Sequence, residues 1–331
     1  MKLLTCARNL MIAAGLVMFT SMSAHAAPLR VGYWTSGISL GFGAVLEAQQ
    51  YFQKQGFEVE FVHFPDVTGP TKAIAANAID LAFGASLAGA YSLAGQGVPV
   101  KVILATQTVD AQFVVPIDSP INSLKDLKGK KVGMSPVGSS TTGVGLAVLQ
   151  ANYGIDVKDF SLVPGNESRL VQFVLQKDVD ASVLRTVTVA QIADASTKLK
   201  ILGSFTDEWA KMTKTNSPPY IGVAIVRKEW MDKNPAGAAK MVVAMRNALE
   251  FGAVNKPAVV EILKKAANMP QDGANLYADM WTKMNAVSFE ESDIATLKRT
   301  FEIFKADGTL KGDLPTALFD TKPYLDSKRI K

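Results

Sequence analysis

The fold is decided by the stretch SLKDLKGKKVGM, residues Ser123–Met134, because it leads through a glycine turn into a short apolar strand at 131–134. A polar loop follows, and then a helix predicted over about 141–153, where Val144, Ala147 and Val148 share one face. The same alternation of short apolar runs with helical patterns continues on both sides. This favours an α/β fold with mainly parallel sheets.

Two lobes are expected from the length and from this alternation. The predicted strands lie at 29–34, 58–64, 79–83, 100–106, near 113, 131–134, 161–163, 181–184, 199–202 and 220–226. Predicted helices include 42–55, 187–194, 235–252 and 272–284, and the chain after the last strand is predicted to be helical. A chain of about 300 residues is at the size where single cores divide. We therefore expect one lobe of residues 27–112 with 222–331, a second lobe of residues 113–221, and a ligand cleft at the hinge.

The first 26 residues are predicted to be a secretory signal peptide. Lys2 and Arg8 precede the apolar run LMIAAGLVMF at 10–19, and Ala24-His25-Ala26 is a small-x-small cleavage site. The run is about half the roughly 20 residues that span a bilayer. Cleavage before Ala27 would place the protein in the periplasm.

Composition excludes several classes of protein. Cys6 is the only cysteine, so the mature chain would have no disulfide. The net charge falls from +5 to +3 once Lys2 and Arg8 are removed, and no dense basic stripe is present, which argues against nucleic-acid binding.

Four motifs resemble the periplasmic binding proteins for nitrate, sulfonates and taurine, a branch that includes binders of pyrimidine precursors. They are VGYWTSG at 31–37, ANAIDLAFG at 76–84, SLKDLKGKKVG at 123–133 and GSSTT at 138–142. The resemblance covers most of the mature chain. It implies a two-lobed, type II-like binding-protein fold that captures a small anionic solute and docks on an ABC permease driven by a separate ATPase. Asn77 stands where the family commonly has glycine, and Arg185 where many relatives have an aromatic residue.

Candidate ligand contacts lie where strands end, since open α/β sheets bind ligands beyond the carboxyl ends of their strands. Two helix starts, one at Ser86 after strand 79–83 and one at Ser139–Thr142 after strand 131–134, could clamp one anionic group through unpaired backbone N–H groups. Arg185 could hold a carboxylate or sulfonate with its planar fork. The predicted site comprises Trp34, Thr35, Ser36, Gly37, Ser86, Ser139, Ser140, Thr141, Thr142, Arg185 and Tyr220.

Each of these residues also has an ordinary structural interpretation. The hydroxyls could be helix caps, residues 35–37 a simple turn, and Arg185 a surface residue or a partner in an ion pair between lobes. Trp34 and Tyr220 could pack in the core. Alternatively they could stack a flat heterocycle such as a pyrimidine, and Arg185 could hold a carboxylate.

Catalysis has little support in the sequence. After signal cleavage His63 would be the only imidazole, and Gly84-Ala85-Ser86-Leu87-Ala88 lacks the second glycine of a nucleophile elbow. Gly143-Val144-Gly145 is followed by Val148 where a dinucleotide fingerprint needs glycine. We expect a monomeric binding protein without enzymatic activity, cofactor or metal.

Overall fold

A computed structural model describes residues 28–192, 194–215, 219–314 and 316–330; the predicted signal peptide lies outside these ranges. The strands of the described residues are β1 (Leu29–Trp34), β2 (Val59–Phe64), β3 (Leu81–Ser86), β4 (Val100–Thr108), β5 (Gln112–Pro116), β6 (Lys131–Met134), β7 (Ser161–Pro164), β8 (Ala181–Leu184), β9 (Leu199–Ser204), β10 (Tyr220–Arg227) and β11 (Asn285–Ser288).

Helices surround these strands. In the described chain they are α1 (Gly37–Ala48), α2 (Tyr51–Lys54), α3 (Gly69–Ala75), α4 (Leu87–Gly95), α5 (Ser140–Tyr153), α6 (Glu167–Leu175), α7 (Thr186–Val189), α8 (Ala195–Lys198), α9 (Phe205–Thr213), α10 (Lys228–Lys233), α11 (Gly237–Val254), α12 (Lys256–Ala267), α13 (Gln271–Asp279), α14 (Trp281–Met284), α15 (Glu291–Ala306) and α16 (Lys322–Ser327). No helix among the described residues has both the length and the apolar character needed to cross a bilayer.

The strands form two sheets with the same internal order. The first is ordered β2-β1-β3-β10-β4-β11, and the second is ordered β7-β6-β8-β5-β9. In each, three strands pair in parallel and a strand arriving from the other sheet, β10 or β5, inserts antiparallel between its neighbours. The mixed α/β class predicted from the alternating pattern is therefore confirmed.

The chain passes between the sheets twice. It leaves the first sheet at Thr108 and enters the second at Gln112, then leaves the second at Ser204 and returns at Tyr220. We propose that these two passages separate the lobes, with the boundaries expected from sequence near residues 112 and 221.

The ANAIDLAFG motif has a structural role at the start of β3. Asn77 has a φ of +60°, a left-handed conformation that asparagine tolerates better than most residues other than glycine. Asp80 accepts hydrogen bonds from the Arg30 backbone N–H at 3.1 Å and from its Nε and Nη2 atoms at 2.9 and 2.7 Å. This pair joins β3 to β1 at the edge opposite the carboxyl ends of these strands.

The structure corrects three sequence-based expectations. The helix predicted at 42–55 is two helices, because Gln50 adopts a left-handed φ of +53° that a right-handed helix cannot continue. The helix predicted at 187–194 is the single turn α7. The C-terminal part is not wholly helical, since β11 pairs with β4 through tertiary contact that local periodicity does not reveal.

Candidate functional site

Side chains from both sheets meet where parallel strands end. Trp34 is the last residue of β1, Arg185 directly follows β8, and Glu167 opens α6 three residues after β7. The polar loop after β6 brings Ser140 and Thr141 to the same place at the start of α5. Most of these residues were predicted from their positions just beyond the carboxyl ends of strands. The structure brings them together in one cluster.

Arg185 lies at the centre of this cluster and is only 3% exposed. Its Nη2 atom donates to Thr141 Oγ1 at 2.9 Å, and its Cζ atom lies 5.0 Å from the centre of the Trp34 ring, a cation–π contact. Its Nε atom is 3.4 Å from Glu167 Oε1. Both Nε and Nη1 are buried without a hydrogen-bond partner. Two N–H groups of the guanidinium therefore lack hydrogen-bond acceptors at a position that is shielded from solvent.

Two carboxylates that sequence analysis did not single out face this arginine. Glu167 is 4% exposed, and its Oε2 atom is buried without a partner. Asp110, in the passage between β4 and β5, has a buried and unpaired Oδ2 atom. Glu167 could have been predicted from its position, because it lies just beyond the carboxyl end of β7. Asp110 could not, because only the tertiary path of the chain brings it beside Arg185.

Burial governs the titration of all three groups. It raises the pKa of the Glu167 carboxyl, while the positive charge of Arg185 opposes this. It also raises the pKa of Asp110, against a hydrogen bond from Thr186 and the charge of Arg185. Burial lowers the pKa of Arg185, and the charges of Glu167 and Asp110 raise it. The three groups share one water-poor electrostatic environment.

The helix starts at Ser86 and Ser140 are hydrogen-bonded to each other. Ser86 Oγ accepts the backbone N–H of Ser140 at 3.0 Å, and Ser140 Oγ accepts the backbone N–H of Ala88 at 3.0 Å. The Ser86 hydroxyl also lies 3.1 Å from the Gly138 carbonyl. The structure therefore brings both predicted helix starts together and uses their hydroxyls as reciprocal caps across the sheets.

The remaining predicted residues have separate environments. Ser139 and Thr142 cap α5 locally: the Thr142 N–H donates to Ser139 Oγ at 3.2 Å, and the Thr142 hydroxyl to the Ser135 carbonyl at 2.6 Å. The Tyr220 hydroxyl donates to Asp293 Oδ1 at 2.7 Å, at the start of α15.

The three residues of the turn at 35–37 do not share one environment. Gly37 packs against two residues of the central cluster: a Cβ atom added there would lie 2.8 Å from Arg185 Cδ and from Trp34 Cη2. Ser36 is the N-cap residue of α1 without a side-chain cap bond. The Thr35 hydroxyl donates to the Phe64 carbonyl at 3.1 Å.

Thr35 also borders a cavity of about 700 Å³ between α1 and α12. Glu47 and His63 line it, with His63 Nε2 2.7 Å from Glu47 Oε1.

The central cluster is closed to solvent by residues from both sheets. Trp34, Ser86, Ser140, Thr141 and Arg185 are each at most 3% exposed, and they come from both halves of the chain.

The profile of the family described as NMT1/THI5 like matches residues 44–259. The chain belongs to the NMT1/THI5-like family. A Brucella abortus (strain 2308) protein described as a candidate binding protein is 25% identical over 285 residues, which cover 86% of this chain and 82% of that one. A candidate thiamine biosynthesis protein of Haemophilus influenzae is 36% identical over 143 residues, 42% of this chain and 44% of that one.

Solved structures establish the fold of this NMT1/THI5-like protein. The alkanesulfonate-binding protein SsuA of Xanthomonas axonopodis pv. citri, bound to MOPS, superposes with a TM-score of 0.77 at 16% identity, covering 90% of this chain and 99% of that one. A Candida albicans protein described as having the generic periplasmic binding protein fold gives a TM-score of 0.68 at 17% identity, with coverages of 89% and 97%. The two-lobed periplasmic binding protein fold predicted from the sequence is confirmed.

Proposed function

We propose that this protein is the solute receptor of an ABC importer and that it closes around a small organic anion of the sulfonate or carboxylate class. The observation that carries the proposal is the Arg185 guanidinium, which is 3% exposed and whose Nε and Nη1 atoms make no hydrogen bond, although Nε lies in an ion pair with Glu167. Buried polar groups in native proteins nearly always have partners. A ligand with two acceptor oxygens would pair both donors through the fork geometry that arginine offers to carboxylates and sulfonates.

The energetics favour closure around such a ligand. Each unpaired buried donor costs about 1–3 kcal/mol, more when the group is charged. The closed form without ligand has this cost, whereas the open form exposes Arg185 to water. An anion that satisfies Nε and Nη1 therefore stabilises the closed form selectively, which is the differential contact that ligand-driven closure requires.

Transport is the role that agrees best with this behaviour. Family membership and fold support a binding protein, and the expected signal peptide at residues 1–26 would deliver it to the periplasm. The closed, monomeric receptor would then dock on a membrane permease whose separate ATPase drives uptake. The neighbouring alkanesulfonate-binding protein holds MOPS, a sulfonate, in the same fold.

A pyrimidine or similar heterocycle is the second candidate. It is favoured by the 36% identity to the candidate thiamine biosynthesis protein and by the buried acceptors of Glu167 and Asp110. The stacking arrangement considered from sequence is less favoured, because Arg185 already covers the face of Trp34 and the Tyr220 hydroxyl is bonded to Asp293.

Enzymatic activity is the weaker alternative. His63 is the only histidine of the described residues, and it pairs with Glu47 at the cavity beside α1. Ser86 instead shares its hydroxyl contacts with Ser140 and Gly138. Binding without turnover is therefore our proposal.

The test is a ligand panel measured by thermal shift and calorimetry on the full chain exported by a Gram-negative host. The panel contains taurine, alkyl and aryl sulfonates, nitrate, dicarboxylates and pyrimidines. A ligand at 100 times its dissociation constant should stabilise the protein by about 2.7 kcal/mol. Stabilisation by organic acids supports the proposal. Stabilisation by pyrimidines alone would refute the anion receptor and support the heterocycle receptor instead.

The Arg185→Lys variant tests the site within that panel. It keeps a positive charge but loses the planar fork, so acid affinity should fall about tenfold or more. The control is Arg169→Lys, at an exposed arginine on α6 whose guanidinium lies over Phe173. Equal affinities in both variants would refute the role of Arg185.

A further inference from the structure

One guanidinium is enclosed with two carboxylates at the site proposed above. Arg185 interacts electrostatically with both Glu167 and Asp110, and its Nε atom lies 3.4 Å from Glu167 Oε1. Glu167 is 4% exposed, so water does little to stabilise its charge. If both carboxylates are ionised, the net charge of this group of residues is negative before a solute enters, and an anionic solute makes it more negative.

The unpaired atoms at the site show the same conflict. Arg185 Nε and Nη1 are donors without a hydrogen-bond acceptor, whereas Glu167 Oε2 and Asp110 Oδ2 are buried acceptors without a donor. The acidic group of a sulfonate or carboxylate offers acceptor oxygens and no donor near neutral pH. It can satisfy the arginine, but an ionised Glu167 would face it with an unpaired oxygen of the same charge.

We infer that Glu167 takes up a proton when the solute binds and donates its carboxyl O–H to the bound anion, so that solute capture is coupled to proton uptake. The inference rests on the proposed function, since it assumes that Arg185 binds the acidic group in a closed site. The proton comes from solvent and bonds to Glu167 Oε2, which converts an unpaired acceptor into a third donor beside Arg185 Nε and Nη1. A carboxyl that its surroundings keep neutral can donate a hydrogen bond to an anion in this way.

The groups that face Glu167 decide its protonation. Burial raises the pKa of its carboxyl, and the negative charge of Asp110 acts in the same direction. The charge of Arg185 opposes this, as do hydrogen bonds from Thr188 and from the Arg185 backbone. A bound anion pairs with Arg185 and adds a like charge beside Glu167, which favours the protonated carboxyl further. Tyr277, which also interacts with Arg185, stays protonated because burial raises its pKa.

Helix capping does not explain a buried carboxylate at this position. Glu167 is the first residue of α6, but the cap of that helix is Asn166, whose side chain accepts the Arg169 N–H at 3.0 Å. Glu167 lies instead against Arg185. The positive end of the α6 dipole favours the ionised carboxyl while the site is open to water, so we expect the proton to arrive with the solute.

The decisive experiment counts the protons that accompany binding. Titration calorimetry is run on the full chain exported by a Gram-negative host, in bis-Tris, imidazole and Tris at about pH 7, because proton uptake adds the ionisation enthalpy of the buffer to the measured heat. Sulfonate buffers are avoided, since they belong to the proposed ligand class. The probes are propane-1-sulfonate, benzenesulfonate and butanoate. A sulfonate does not hold a proton near neutral pH, so a proton taken up with it belongs to the protein.

We expect each sulfonate to bind with uptake of about one proton, and its affinity to fall by up to about tenfold for each pH unit above neutral. Binding heats that do not depend on the buffer would overturn the inference and leave the anion receptor intact. No binding by any of the three acids would instead overturn the proposed function.

Glu167→Gln supplies the second arm. The glutamine amide is uncharged and offers an N–H donor, so it mimics the protonated carboxyl. This variant should take up no proton and should bind the acids more tightly than wild type at about pH 8. Glu291→Gln is the matched control, because Glu291 is also the first residue of its helix but is exposed, and it should keep the proton uptake of wild type.

Proton uptake that persists in Glu167→Gln would exclude Glu167 as the group that binds the proton and would overturn the inference. The same comparison decides the case in which butanoate is the acid that binds, because the variant separates a proton on Glu167 from a proton on the ligand. If the variant does not fold, the buffer series on wild type still decides whether capture takes up a proton.

Discussion

Ser86 and Ser140 cap each other's helices across the boundary between the two sheets. The Ser86 hydroxyl oxygen accepts the Ser140 N–H, the Ser140 hydroxyl oxygen accepts the Ala88 N–H, and the two oxygens are 3.2 Å apart. Ser86 ends a strand of the first sheet, and Ser140 opens the helix after β6 of the second. These hydrogen bonds join the two sheets directly, and in the closure that we propose they would stabilise the closed form.

The first prediction concerns this pair. Ser140→Ala should weaken the closed form by about 0.5–2 kcal/mol, the usual effect of losing a helix cap. Ligand affinity should therefore fall between about twofold and thirtyfold, and the radius of gyration without ligand, from small-angle scattering, should not decrease. Ser204→Ala is the control, since Ser204 caps α9 by accepting the Asp207 N–H at 3.1 Å within the second half. It should lower the melting temperature and leave affinity unchanged; an equal loss of affinity in both variants would contradict the interlobe role.

The second prediction concerns Gly37, which packs directly against the Arg185 side chain. Gly37→Ala would place a Cβ atom 2.8 Å from Arg185 Nε and from Trp34 Cη2, at a φ of +54° that costs an alanine about 1 kcal/mol. We expect lower thermal stability and at least tenfold weaker ligand binding, because the guanidinium must move. Gly154→Ala separates the two effects, since Gly154 has a φ of +65° with nothing within 4 Å of the added atom. Gly154→Ala should show only the stability loss, and normal ligand binding by Gly37→Ala would be inconsistent with our site.

The third prediction concerns pH. Burial raises the pKa of Glu167 above its ordinary 4.5, so the folded protein holds this proton to a higher pH than the unfolded chain does. The contribution of Glu167 to the free energy of unfolding is therefore fully present below pH 4.5 and is lost as pH rises through the folded-state pKa. Urea unfolding between about pH 4 and about pH 8 should show a steeper decline for wild type than for Glu167→Gln. Asp110, with a pKa raised by burial from 3.8, contributes in the same direction to both proteins. Parallel curves for the two proteins would show that Glu167 titrates as in water.

The fourth prediction concerns export. Residues 1–26 should be removed when the full chain is produced in a Gram-negative host, because Ala24-His25-Ala26 follows a short apolar run. Intact mass and N-terminal sequencing of the periplasmic fraction should give a chain that begins at Ala27. Replacing Ala26 by a bulky residue should block cleavage, and the same replacement at Ala27, the first residue of the mature chain, is the control. Recovery of uncleaved protein in the cytoplasm would disprove the export signal.

Local patterns in the chain were sufficient for most of the secondary structure. Strands such as β1, β6 and β8 appear at or within a residue of their predicted positions, because short apolar runs bounded by turns have few alternative structures. The failures share a physical origin. β11 forms only because β4 offers it a pairing edge, and α1 ends where Gln50 turns left-handed, neither of which follows from periodicity.

The sequence by itself determined the fold class, the family resemblance and the strand-end positions of Trp34, Ser86, Ser140 and Arg185, because these depend on patterns local to each segment. Only the tertiary structure decided what those residues do. In it, Ser86 and Ser140 are hydrogen-bonded, and the Arg185 guanidinium lies over the Trp34 ring. Glu167 and Asp110, from distant parts of the chain, lie near the same guanidinium. The physical reason is that the charge balance of a buried site depends on every group enclosed with it. Sequence spacing does not contain that information until the chain has folded.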